Sequence, residues 1–183
     1  YNKAIQQYKK AIKIDPLNAS ILNNLGSVYT KLDDFDEAIK FFKEALRLDS
    51  KYSEAYYNLG YLHYKVRKWD ESINYYKSAL TVKFPNPEAS NNLGVVFHES
   101  FEFDEAEKYF REALKYREDY IDAITNLGSL YKDLRKFDLA EDFYNRALKL
   151  DPRNSNIYFN LGTLFLDMNQ NKLAAQALFQ SII

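Results

Sequence analysis

Five asparagines recur at one spacing: Asn24, Asn58, Asn92, Asn126 and Asn160 stand 34 residues apart. A carboxamide presents a hydrogen-bond donor and an acceptor side by side. A peptide backbone offers the complementary pair at every residue. A column of such amides therefore suits gripping a main chain without reading its side chains. Covalent chemistry has little to work with. The chain has no cysteine, which excludes disulfides, thiolate nucleophiles and thiolate metal sites. We find no phosphate loop, no nucleophile motif and no paired carboxylates at a convincing spacing. The two histidines, His63 and His98, have no companions forming a metal-ligand set. The sequence thus predicts a non-catalytic chain with no catalytic residues, no metal and no cofactor.

The residues flanking each asparagine reveal the elements that position it. The motifs are Asn23-Asn24-Leu25-Gly26, Tyr57-Asn58-Leu59-Gly60, Asn91-Asn92-Leu93-Gly94, Thr125-Asn126-Leu127-Gly128 and Phe159-Asn160-Leu161-Gly162, and they hold all five glycines of the chain. Self-similarity at such a period marks a stack of supersecondary units, each burying its apolar face on its neighbours. Other positions keep the register: Ala38, Ser72, Ala106, Ala140 and Ala174; then Phe42, Tyr76, Phe110, Tyr144 and Leu178; then Ala45, Ala79, Ala113, Ala147 and Ser181. The repeats are read as 19–52, 53–86, 87–120, 121–154 and a truncated 155–183. Residues 1–18 form the second helix of a preceding repeat, with Ala4, Tyr8, Ala11 and Pro16 in register. The whole of 1–183 is expected to be a single array.

Each unit reads as two helices. Leu22, Leu25, Tyr29 and Leu32 are spaced for the first. A short polar turn such as Asp33-Asp34 comes next. The second opens with an aromatic and acids, as in Phe35-Asp36-Glu37 and Trp69-Asp70-Glu71, where negative charge complements the helix dipole. Its inner stripe alternates small and large, as in Ala38, Phe42 and Ala45. Pro16 and Pro152 stop the second helix, and Pro85-Asn86-Pro87 does the same between the second and third repeats.

Composition supplies the core and limits the partners. Hydrophobic residues make up 46% of the chain, enough for stacked helices, with 16 tyrosines and 13 phenylalanines as large buried groups. The formal net charge is −1, so no global field draws nucleic acid or an anionic membrane. No apolar run approaches the ~18 residues of a membrane span, and no signal peptide is visible. An intracellular, cytoplasmic location is expected. The chain begins at Tyr1 rather than at methionine and is expected to be a fragment or a processed product.

Leu-Gly, a Tyr or Phe three residues on, then Ala, aromatic, Ala and Pro, at period 34, resembles the tetratricopeptide repeat (TPR) over essentially the whole chain. Ser72 stands in place of a small alanine, which is expected to loosen packing. His63 replaces the aromatic of the first helix, and Ser50, Phe84 and Glu118 replace the closing proline. The resemblance implies an all-α fold, a right-handed superhelical solenoid of antiparallel helix pairs. The first helix of each pair lines a concave groove. It also implies a binding role and no chemistry of its own. Chaperone-binding members hold a C-terminal carboxylate with a clamp of Lys, Arg and Asn. Here the cation positions read Asn23, Glu88 and Asn92, and that subtype is rejected.

Helical geometry orients the asparagines. At about 100° per residue, repeat positions 4, 7, 8 and 11 share an arc of about 100°, and position 6 lies roughly 150° from its centre. Asn24, Asn58, Asn92, Asn126 and Asn160 therefore face away from the second helix. The arrangement resembles the asparagine ladder in the repeats of protein O-linked N-acetylglucosamine (O-GlcNAc) transferase. The alternative is that these side chains cap or bridge neighbouring helices. A net hydrogen bond is worth about 1 kcal/mol, so five supply roughly 5 kcal/mol, a dissociation constant on the order of millimolar. Anchors are required. Tyr57, Tyr61 and Tyr64 lie on the inner wall, with His98 beyond them, and Phe159 and Leu166 form an apolar pair further on.

Position 13 reads Lys31, Lys65, Glu99, Asp133 and Asp167, and position 2 adds Glu54, Glu88 and Asp122. The groove edge changes from basic to acidic along its length. His63 falls on the packing face and reads as a satisfied core histidine. The last helix would present Ala174, Ala177, Leu178 and Ile182, with no capping helix after Ile183. Either the natural chain continues or this end associates with another copy. The expected function is a protein–protein interaction scaffold binding an extended peptide of a partner protein. The alternatives are the substrate-recruiting region of a larger enzyme, such as a protein O-GlcNAc transferase, or an architectural subunit of an assembly.

Overall fold

In the computed structural model, residues 1–182 are described, and Ile183, the end of the truncated fifth repeat, lies outside them. Among the described residues the chain is all-helical: α1 (Asn2–Ile14), α2 (Ala19–Thr30), α3 (Phe35–Leu48), α4 (Ser53–Lys65), α5 (Trp69–Val82), α6 (Pro87–Glu99), α7 (Phe103–Tyr116), α8 (Ile121–Asp133), α9 (Phe137–Leu150), α10 (Ser155–Asp167) and α11 (Asn171–Gln180). Two compact units divide within α6, Tyr1–Val96 and Phe97–Ile183.

In the first unit α2 packs on α1, α3 and α4, and α4 packs on α3 and α5. In the second, α8 packs on α7, α9 and α10, and α10 packs on α9 and α11. Thus α2, α4, α8 and α10 each sit between the second helix of their own pair and that of the pair before. Leu22, Ala38, Phe42, Ala45, Ala55, Leu59 and Leu62 form one buried cluster of the first unit. The stripe alanines of α3, α5, α7 and α9 are fully buried, whereas Ala4 and Ala11 of α1 are only half-buried. A Cβ placed on Gly26 would stand 2.7 Å from Phe42 Cε1, and one on Gly128 2.6 Å from Tyr144 Cε1. Glycine is required there because an aromatic ring lies against the helix backbone.

The turn between the paired helices is the same device five times. Asp33, Arg67, Phe101, Arg135 and Asn169, each seven residues after its glycine, adopt φ between 57° and 64°. Asp34 N–H then donates to Tyr29 O at 3.0 Å and Asp33 N–H to Thr30 O at 3.2 Å. Lys68, Glu102, Lys136 and Gln170 repeat the first bond onto His63, Phe97, Tyr131 and Phe165. The pattern is a Schellman cap, which satisfies the last carbonyls of the first helix through one left-handed residue. No glycine occupies that position. In the third repeat the turn is not polar, because Phe101 stands there 80% exposed.

A second aromatic layer joins the first four pairs. Tyr29 stacks on Phe41, Phe97 on Tyr109 and Tyr131 on Phe143, with centroids 5.5 Å apart each time. In the second repeat His63 takes the place of the ring and lies 5.1 Å from Tyr75. It is buried, but neither ring nitrogen has a hydrogen-bond partner among the described residues. The expected satisfied histidine is thus a core residue left unsatisfied. Burial holds its imidazole below the usual pKa, against the pull of Glu71. Ser72 does not loosen its site. It is fully buried and its hydroxyl donates to Gly60 O at 2.8 Å.

In the second unit Tyr131 Oη donates to Glu107 Oε1 at 2.7 Å, and Arg111 Nη2 donates to the same phenol at 2.7 Å. Burial alone would raise the Glu107 carboxyl. The bonds from Tyr131 and Arg111 outweigh it and hold the pKa below the ordinary value. This network ties α8 to α7.

Candidate functional site

The first-helix faces carry the residues singled out by spacing. Asn24 is exposed, whereas Asn58, Asn92, Asn126 and Asn160 are half-buried. Asn58 Nδ2 donates to Asn23 Oδ1 at 2.9 Å. Asn92 Nδ2 donates to Tyr57 Oη at 2.8 Å and to Tyr76 Oη at 3.4 Å, while its Oδ1 accepts from Asn91 Nδ2 at 3.3 Å. The bonds from Asn58 to Asn23 and from Asn92 to Tyr57 both run from position 6 of one repeat to position 5 of the repeat before. These two amides bridge adjacent first helices. Asn92 is thereby occupied at both ends. Asn58 keeps a second N–H and an Oδ1 without a partner among the described residues. Position 5 of the fourth repeat is Thr125, whose buried hydroxyl has no partner among the described residues. Asn160 therefore does not form the same bridge.

The tyrosines sort into two hollows of the first unit. The larger encloses about 530 Å³ between α2 and α4, lined by Ser27, Thr30, Lys31, Asp33, Phe35, Tyr57, Asn58, Tyr61 and Lys65. The smaller, about 80 Å³, is lined by Tyr61, Tyr64, Tyr76, Asn92 and Val95. It has room for a small apolar side chain and no more. Tyr57 meets Tyr76 edge-on at 5.6 Å, and Tyr64 leans on Trp69 at 5.8 Å. Burial drives the Tyr76 phenol well above the usual tyrosine range. On the other side of Tyr57, Ser53, Glu54, Asn86 and Glu88 enclose a further 250 Å³ with it.

His98 belongs to the second unit. Its Nε2 lies 2.9 Å from Asp133 Oδ2, and its ring meets Phe103 edge-on at 5.8 Å. Phe159 and Leu166 are exposed on α10. On α11, Ala174 and Ala177 are buried against α10, Leu178 lies against Gly162, and Leu173, Phe179 and Ile182 are exposed. No group of three or more His, Asp or Glu is arranged for a metal among the described residues. None of their helices is long and apolar enough to cross a membrane.

Spacing could have revealed the stacked aromatics, since Phe41, Tyr75, Tyr109 and Phe143 also recur every 34 residues. The bridges have no such signal. They depend on which side chain occupies position 5 of the neighbouring repeat.

Tetratricopeptide repeat family models match residues 17–83, 52–119, 121–154 and 143–177. The chain belongs to the tetratricopeptide repeat family. As a TPR protein it has the all-α solenoid fold of paired helices. Solved structures share that fold at low identity. YrrB, a TPR protein with an unusual peptide-binding site, is 22% identical, with 96% of this chain and 90% of that one covered and a TM-score of 0.72. PilW, a type IV pilus biogenesis factor, is 20% identical over 99% of this chain and 82% of its own, with a TM-score of 0.87. A chain of the Cut9–Hcn1 hetero-tetramer of APC/C is 23% identical, with 99% of this chain and 37% of that one covered and a TM-score of 0.86. No curated protein matches the chain.

Proposed function

We propose that this TPR chain is a non-catalytic scaffold whose repeats act as one array, holding an extended peptide of a partner protein against the first-helix faces. The observation that carries this reading is the 530 Å³ cleft between α2 and α4, whose wall includes Tyr57, Asn58 and Tyr61. The unsatisfied half of the Asn58 amide is available to a peptide main chain. Asn24, Asn126 and Asn160 extend the same grip, and Asn92 contributes chiefly by holding Tyr57. Tyr61, with Tyr64 beside it, presents aromatic surface for a side-chain anchor, the residue type that dominates interface energetics. The peptide-binding site of YrrB, a protein of the same fold, supports the reading by analogy.

A second, architectural reading is favoured by the amide bridges from Asn58 to Asn23 and from Asn92 to Tyr57. In it the asparagines tie repeats together and the contacts lie elsewhere. One comparison separates the two. Peptides selected from a random display library are titrated against wild type and Asn58→Ala/Tyr61→Ala by fluorescence anisotropy, alongside urea unfolding. Affinity reduced about tenfold or more, equivalent to roughly 1.4 kcal/mol, with an unchanged unfolding midpoint fits groove binding. Unchanged affinity with a lowered midpoint fits the architectural role. Light scattering tests the accompanying proposal that exposed apolar residues of α11 mediate self-association, and a strict monomer at high concentration removes it.

A further inference from the structure

Resting on the peptide-binding reading, we infer that the cleft between α2 and α4 selects an acidic side chain, Asp or Glu, of the bound peptide. Lys31 and Lys65 both line it, both are exposed, and neither ammonium has an ion-pair or hydrogen-bond partner among the described residues. Each stands at position 13 of its repeat, so the 34-residue period places the pair at the C-terminal ends of adjacent first helices, facing one space. Asp33 contributes one opposing carboxylate, which leaves the wall with an excess of one positive charge at neutral pH. The Tyr61 hydroxyl and the remaining Asn58 N–H add neutral donors at the same wall. A carboxylate accepts from all of these, and charge-assisted bonds are the stronger kind. The 530 Å³ volume exceeds a carboxyl group several-fold, which leaves Tyr57, Tyr61 and Phe35 to cover the stem of the side chain and its neighbours.

The selection is confined to this cleft. The hollow on the far side of Tyr57 carries Glu54 and Glu88, which repel an acid. The later position-13 residues, Glu99, Asp133 and Asp167, are themselves acidic. Of the two hollows on either side of Tyr57, this one therefore favours an acidic residue of the ligand, and that fixes the peptide's register.

The test uses a random peptide display library with amidated C-termini, selected on the wild-type chain. The best binder and its Glu→Gln or Asp→Asn counterpart are titrated by fluorescence anisotropy against wild type and Lys31→Gln/Lys65→Gln. The expected result is an acid enriched at one register position. Removing it should weaken wild-type binding about tenfold, the scale of a hydrogen bond to a charged group, and should change binding to the double variant less than twofold. Added salt should erode the wild-type preference. Peptides that bind without an acidic position overturn the inference while leaving the groove reading standing. So does a double variant that keeps the preference. Failure to select any peptide overturns both.

Discussion

Gly26→Ala should destabilise the chain, against the ordinary preference of helices for alanine. Alanine is favoured over glycine in a helix interior by about 1 kcal/mol. The added methyl, however, would lie 2.7 Å from Phe42 Cε1, 2.9 Å from Cδ1 and 3.0 Å from Cζ. Carbon atoms in good contact stand about 3.5–4.0 Å apart, so the ring has to retreat by roughly 0.8 Å. Phe42 is 1% exposed and hemmed in by Ala38, Ala45, Ala55 and Leu59. Overpacking of that kind costs about 1–3 kcal/mol. Less the helix preference, the net expectation is a loss of up to about 2 kcal/mol, read as a lower urea midpoint by far-ultraviolet circular dichroism. The sign should invert once the ring is gone. In a Phe42→Ala background, itself less stable by about 3–5 kcal/mol, Gly26→Ala should be neutral or stabilising. Such non-additivity is the mark of residues in contact. A Gly26→Ala protein with the wild-type midpoint or a higher one would refute the argument that the ring dictates the glycine.

Two other measurements probe local features. His63 is neutral in the fold because burial depresses its pKa, so the unfolded chain binds the extra proton, and stability should fall as pH drops below about 6.5. Thermal melts should show this slope in wild type and lose it in His63→Phe, and an unchanged slope would be contrary. Phe101 holds φ at 64° with its side chain exposed, and left-handed backbone costs an L-residue about 1–2 kcal/mol. Phe101→Gly should therefore gain about 1 kcal/mol in urea unfolding. Asn169→Gly, at φ 59°, should gain less, because asparagine tolerates this conformation.

The sequence made the helix pairs readable because a 34-residue period leaves the glycines, the alanines and the large second-helix residues in fixed register. The first helices begin at Ala19, Ser53, Pro87, Ile121 and Ser155, and the second helices open at Phe35, Trp69, Phe103, Phe137 and Asn171. The left-handed turn was hidden, because Asp, Arg, Phe, Arg and Asn at that position share no type. The site was legible only to the level of a face. A helical wheel places Asn58 and Asn92 on the side away from the second helix, but it does not say how far an amide reaches. In the structure each reaches the neighbouring first helix, since Asn23 and Tyr57 there offer an oxygen at 2.9 and 2.8 Å. Lys31 and Lys65 were visible as a basic edge. That they share a cleft with Tyr61 is a product of stacking, which period alone does not report.

Where a bound peptide touches the chain decides the central claim. Backbone amide chemical shifts, tracked by NMR as a display-selected peptide is titrated in, should change chiefly at residues 23–31 and 57–65, on α2 and α4. Shifts confined to the second helices α3 and α5, with α2 and α4 silent, would contradict groove binding and leave the architectural role in its place.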